Sequence, residues 1–121
     1  MAKSIKDILR KELDVKVNGS LWLEAGGERF LGPGPIELLQ RIADTGSISS
    51  AAKEMKMSYK KAWELIHHLN AHTASPVVIL QTGGEKGGGS TITDEAMELI
   101  KYHRRLRKRF EAFLEKESKL L

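Results

Sequence analysis

The stretch SISSAAKEMKMSYKKAWELIHHL, residues 47–69, leaves little freedom in how the chain around it folds. Ser47 is placed to cap a helix whose inner face is Ile48, Ala51, Ala52 and Met55. Lys56 and Met57 form a very short break. Ser58 is then placed to cap a second helix with Ala62, Leu65, Ile66 and Leu69 inward. The small Ala52 lets the second helix cross close to the first, while Met55, Met57, Ala62 and Leu65 fill the angle between them. This is the spacing of a helix-turn-helix. Such turns often hold glycine where this chain has Lys56, and a left-handed backbone there costs about 1 kcal/mol.

On the N-terminal side, Ile5, Ile8, Leu9 and Leu13 stand at mostly helical spacing behind Ser4, which predicts a short amphipathic helix over residues 3–13. Val15, Val17, Leu21 and Leu23 alternate with polar residues, Ala25-Gly26-Gly27 turns the chain, and Glu28-Arg29-Phe30-Leu31 returns it as a hairpin. A helix follows with Pro35 in its first turn and Ile36, Leu39, Ile42 and Ala43 on one face, ending at Gly46. Beyond Asn70 come Pro76, the strand-like VVILQ, a glycine stretch and a brief strand around Thr91-Ile92. Thr93 is placed to cap a long helix over about residues 94–118, with Asp94 and Glu95 suited to its dipole. Its seam is Ala96, Leu99, Ile100, His103, Leu106, Phe110, Phe113 and Leu114.

TGGEKGGGST, residues 82–91, holds five of the eleven glycines. A P-loop needs a lysine before its hydroxyl residue to neutralise the distal phosphates, and Gly89 stands there before Ser90. The dinucleotide fingerprint is absent, and the flanking pattern is strand-loop-strand instead of strand-turn-helix. A strand-loop-strand directly after a helix-turn-helix is the pattern of a wing. Its glycines allow close approach to a sugar-phosphate edge, with Lys86 near the tip as a point charge.

The expected fold class is therefore α+β: a single winged helix-turn-helix domain over residues 1–121 with an N-terminal β-hairpin and a long C-terminal helix. The helix-turn-helix occupies about residues 47–70, the wing about 77–92 and a dimerisation helix about 94–118. A chain of 121 residues has room for one core. It has no cysteine, which excludes thiolate metal sites and cysteine nucleophiles, and no apolar run long enough for a membrane helix. The N-terminus lacks the apolar stretch of a secretory signal, so a cytoplasmic location is expected. The net charge of +4 points to an anionic partner. Six Lys or Arg in the nine residues KYHRRLRKR, 101–109, concentrate that charge, on a helix face that either meets phosphates or a partner or is simply solvated.

GSISSAAKEMKMSYKKAWELIHHLN with the following TGGEKGGGSTIT resembles the N-terminal winged-helix domain of the ModE family, the molybdate-responsive transcriptional regulators. LWLEAGGERFLGPGPIELLQRIADTGSIS resembles the hairpin and first helix that precede it, so the resemblance covers roughly residues 15–105. The helix pair and ITDEA are more distantly similar to the DNA-binding domain of LysR-type regulators. The resemblance implies a dimeric regulator that binds double-stranded DNA, and no cofactor is expected. Full-length family members continue into molbindin-like domains that bind the oxyanion, whereas this sequence ends at Leu121, so molybdate binding is not expected of it.

The candidate DNA-contacting residues follow from position. Lys60, Lys61, Glu64, His67 and His68 share the face of the second helix opposite its apolar side, and Ser58 and Tyr59 stand at the end that enters the major groove. Lys86 with the Gly84 and Gly88 amides would hold the backbone or the adjacent minor groove, and Ser47 and Ser49 could donate to phosphate. Trp63, at the edge of the core face, is read as packing. His68 and His72 are four apart and could share a metal if the helix ran past Asn70, but no carboxylate or cysteine is expected to complete a ligand set, so no metal is expected. Neither a Ser-His-Asp nor a paired-carboxylate constellation has supporting context, so the chain is not read as an enzyme. The stripe Leu106, Phe110, Phe113 and Leu114 carries more apolar surface than a small domain covers. Either a second copy or the N-terminal helix lies over it, and the two-fold symmetry of paired half-sites favours a homodimer.

Overall fold

The computed structural model describes residues 3–81 and 89–121. The chain is mixed α and β, with α1 (Ile5–Ile8), β1 (Leu23–Ala25), β2 (Glu28–Leu31), α2 (Pro33–Thr45), α3 (Ile48–Glu54), α4 (Tyr59–Ala71), β3 (Val78–Gln81), β4 (Gly89–Ile92) and α5 (Asp94–Lys119). β1 and β2 form one antiparallel pair, β3 and β4 another. The chain divides into two compact units, Leu21–Arg104 and a second made of the chain up to Ser20 with Arg105–Leu121.

The core lies in the Leu21–Arg104 unit. Leu31, Leu38, Leu39 and Ile42 pack with Ile48, Ala51 and Ala52 of α3, Ala62, Ile66 and Leu69 of α4, Val77 and Val78, and Ala96 and Ile100 of α5. The inner faces expected for α3 and α4 are thus the buried ones. α2 differs: its buried stripe is rotated toward Leu38, and Ala43 near its C-terminus is exposed. Gly46 closes α2 in the left-handed conformation at φ 71°, donating its N–H to the Ile42 carbonyl at 2.7 Å. Its own carbonyl accepts the Ser90 N–H at 2.9 Å, so one residue ends α2 and receives β4.

The break between α3 and α4 is a Schellman turn. The Met57 N–H bonds the Ala52 carbonyl at 3.0 Å and the Lys56 N–H bonds that of Lys53 at 3.1 Å, with Lys56 at φ 55°. A lysine therefore occupies the left-handed position that glycine holds without steric cost. Lys56→Gly is expected to raise the unfolding free energy by up to about 1 kcal/mol, the steric relief outweighing the extra freedom of glycine in the unfolded chain. Urea denaturation checks this, and a clear loss of stability would contradict it. Arg41 braces α2 against α3, reaching Glu37 at 3.2 Å and Glu54 at 3.3 Å. Hydrogen bonds to Glu37, then Glu54, hold its guanidinium above its usual pKa. These are exposed pairs, so they steer more than they stabilise.

β3 and β4 pair in register from Val78↔Ile92 to Gln81↔Gly89. Their base is fastened: Val77 N–H donates to Asn70 Oδ1 at 2.7 Å, and Thr93 N–H to the Val77 carbonyl at 3.1 Å. Thr93 also caps α5, accepting the Ala96 N–H at 3.3 Å.

In the second unit the N-terminal helix is only Ile5–Ile8, closed by a Ser4–Asp7 capping box. The expected helix over 3–13 stops early because it buries nothing, and so short a helix has no stability without packing. Val15, Val17 and Leu21 are not in the hairpin either. Val17 donates its N–H to Ser118 Oγ at 2.8 Å, and a Cβ on Gly19 would meet Phe110 Cζ at 3.2 Å, so this segment runs beside the end of α5. Part of the Phe110–Leu114 stripe is thus covered by this extended segment instead of the N-terminal helix; Leu114 is buried, while Phe113 is 53% exposed.

Candidate nucleic-acid interface

α4 turns Ala62, Ile66 and Leu69 into the core and leaves the opposite face in solvent. Tyr59, Lys60, Lys61, Glu64 and His67 are all exposed there. Ser58 precedes them as the cap, its Oγ accepting the Lys61 N–H at 3.0 Å. Ser47 caps α3 in the same way, accepting the Ser50 N–H at 3.1 Å. Each hydroxyl uses a lone pair for the cap and keeps its O–H to donate outward. The ion pairs among the described residues fall on other side chains, so the charges of Lys60 and Lys61 are not neutralised by them.

Ser47, Ser49 and Tyr59 meet Gln81, Gly89 and Ser90 around a cleft of about 240 Å³. The start of α3, the start of α4 and the far ends of β3 and β4 therefore converge. The sequence had singled out both serines and Tyr59; it missed Gln81, whose only signal was its place as the last residue of a strand. Gly84, Lys86 and Gly88 lie outside the described residues.

Trp63, read as packing at the edge of the core face, is 43% exposed with its ring stacked on His67 at 5.0 Å. It borders an apolar groove of about 360 Å³ with Ile79 and Leu80. His68 is half-buried and its Nε2 faces the Arg29 carbonyl at 3.3 Å, which turns it toward β2 and away from the other members of its predicted face. α4 does run past Asn70, to Ala71 with His72 as its C-cap. Within the basic run, Lys101 pairs with Glu98 at 3.6 Å and Arg107 with Glu111 at 2.9 Å, while Arg104, Arg105, Lys108 and Arg109 are exposed.

In sequence the chain is similar to known transcriptional regulators and to molybdenum-pterin-binding proteins. The chain is 39% identical over 83 residues to the DNA-binding transcriptional dual regulator ModE of Escherichia coli K12, a match covering 69% of this chain and 32% of that protein. It is 38% identical over 74 residues to the transcriptional regulator ModE of Haemophilus influenzae, covering 61% and 29%. It is 44% identical over 78 residues to the molybdenum-pterin-binding protein MopB of Rhodobacter capsulatus, covering 64% and 28%. The chain thus spans less than a third of the length of these curated relatives. No family model matches it. Among the described residues, no helix is long and apolar enough to cross a membrane.

Proposed function

We propose that this chain is a winged helix-turn-helix module that binds double-stranded DNA and regulates transcription; two of its relatives are named a DNA-binding transcriptional dual regulator and a transcriptional regulator. The observation that carries the reading is the solvent-facing start of α4, where Lys60 and Lys61 stand on a helix held by its own core beside the Ser47–Gln81 cleft. In this reading α3 and α4 are the helix-turn-helix, α4 is the recognition helix, and β3 with β4 is the wing. Ser58, Tyr59, Lys60, Lys61, Glu64 and His67 face the major groove, and Ser47 and Ser49 donate to phosphate. Lys86, Gly84 and Gly88 are assigned to the wing contact from sequence alone. His68 is reassigned to the hairpin side.

A second reading, a winged-helix module that binds protein, is favoured by the groove of Trp63, Ile79 and Leu80, the latter two 49% and 56% exposed. Mobility-shift titration against duplex DNA at two salt concentrations separates the two. A DNA binder releases counterions as lysines meet phosphates, so its affinity falls steeply with salt. Failure to shift any duplex at low salt would remove the DNA reading.

The same proposal includes a homodimer. In the unit formed by the two ends of the chain, Ile8, Leu13, Phe113 and Leu120 are each more than half exposed. That is apolar surface of the kind a second copy covers. Light scattering is expected to give about twice the 13.5 kDa chain mass; a monomer at micromolar concentration would defeat the dimer.

A further inference from the structure

We propose that Glu28, His68 and His72 form a binding site for a divalent transition-metal ion of the zinc class. One donor atom from each of the three lies within 4.8 Å of the other two, the only such His/Cys/Asp/Glu group among the described residues. Proximity alone would mean little for an exposed carboxylate. The histidines supply the stronger argument, because each is held by a backbone carbonyl through one nitrogen.

His72 Nδ1 lies 2.8 Å from the His68 carbonyl, which fixes its proton on Nδ1 and leaves Nε2 with a bare lone pair. His68 Nε2 lies 3.3 Å from the Arg29 carbonyl, so a proton donated there leaves Nδ1 bare. A carbonyl behind an imidazole is the support that metal-ligating histidines use to set tautomer and ring direction. Phe30 stacks on the His72 ring at 4.9 Å and 5° between planes, which removes its rotational freedom, and the two histidine rings meet edge to face at 4.5 Å. β2 thus supplies three successive residues to one place: the Glu28 carboxylate, the Arg29 carbonyl and the Phe30 ring. The Arg29 guanidinium is drawn away over the Trp22 ring at 3.6 Å.

Two imidazoles and a carboxylate are the donor set of open zinc sites, leaving a fourth position for water. Calcium and magnesium prefer oxygen ligands and are poorly served by it. Tetrahedral bonds of about 2.0–2.1 Å place ligands roughly 3.4 Å apart, so donors within 4.8 Å of one another must close by up to about 1.4 Å. The exposed Glu28 side chain has the freedom to make that movement. Bound there, the ion ties the β1–β2 hairpin to the end of α4, joining elements that no ion pair links among the described residues. The site is independent of whether α4 meets DNA.

The test is titration of the tag-free, chelator-stripped full chain with Co²⁺, followed by its visible absorption, and then displacement by Zn²⁺. One Co²⁺ per chain with the intense absorption of four-coordinate cobalt, bleached by Zn²⁺, is expected. His68→Ala and His72→Ala should each weaken binding at least about 10-fold, the loss already expected when a supporting partner alone is removed. Glu28→Gln should weaken it while leaving the fold intact, so it keeps the test decisive if a histidine variant fails to fold. His67→Ala, one residue away but stacked on Trp63, should bind as the parent does. Absence of saturable binding, one ion per two chains, unchanged affinity in Glu28→Gln, or equal loss in His67→Ala would each overturn the site.

Discussion

Alanine at Lys60 or at Lys61 is expected, where that lysine reads a base, to weaken binding to a cognate duplex by about 1–3 kcal/mol, roughly 5- to 150-fold, and to blur preference at one base position. Both lysines lie in the first turn of α4, exposed and outside the ion pairs of the described residues. The fold should not suffer. Alanine is the stronger helix former, and the Ser58 cap takes the backbone N–H of residue 61, which alanine retains. On the proposed phosphate contact, Lys86→Ala should differ in kind: a lysine on a phosphate carries no sequence information, so all duplexes should weaken nearly equally and the salt slope fall by about one unit. Binding to cognate and scrambled duplexes over a salt series measures both. If Lys86→Ala altered sequence preference while the α4 variants altered nothing, the groove assignment would be wrong.

Leu39→Ala is expected to lower the unfolding free energy by about 2–5 kcal/mol. Leu39 is completely buried in α2, within the cluster that includes Ile42, Ala51 and Ile66. Truncation forfeits the transfer free energy of the removed carbons and leaves a cavity that two rigid helices cannot fully close. The exposed Ala43, four residues on, serves as the contrast: Ala43→Ser should change stability by no more than about 0.5 kcal/mol. Equilibrium denaturation of both variants decides it, and near-equal effects would place the core elsewhere.

Local signals made most of the first unit legible in the sequence. Ser47, Ser58 and Thr93 act where a hydroxyl follows a loop and precedes an apolar period, and each caps a helix. The glycine at 46 and the tight break at Lys56-Met57 were legible for the same reason: the backbone conformation there depends on neighbours within five residues. What escaped was decided at long range. Val15, Val17 and Leu21 have the alternation of a strand, yet Val17 finds its partner on Ser118. The helix at residues 3–13 has adequate spacing but no surface to bury, and only Ile5–Ile8 forms. In the candidate site, the face of α4 was readable from its period, but the turn of His68 toward Arg29 was not. No sequence spacing announces that β2 will deliver Glu28 to the end of α4.

The way β3 and β4 are fastened has a consequence for how such a chain can diversify. Asn70, Gly46 and Thr93 secure the strand pair through Val77 and Ser90, all outside residues 82–88. These bonds hold the base of the strand pair from elements outside it: the end of α4, the end of α2 and the start of α5. Descendants of this sequence that keep Asn70, Thr93 and the left-handed Gly46 therefore inherit the seat of the strand pair, whereas changes at these three positions act on it from outside the strands.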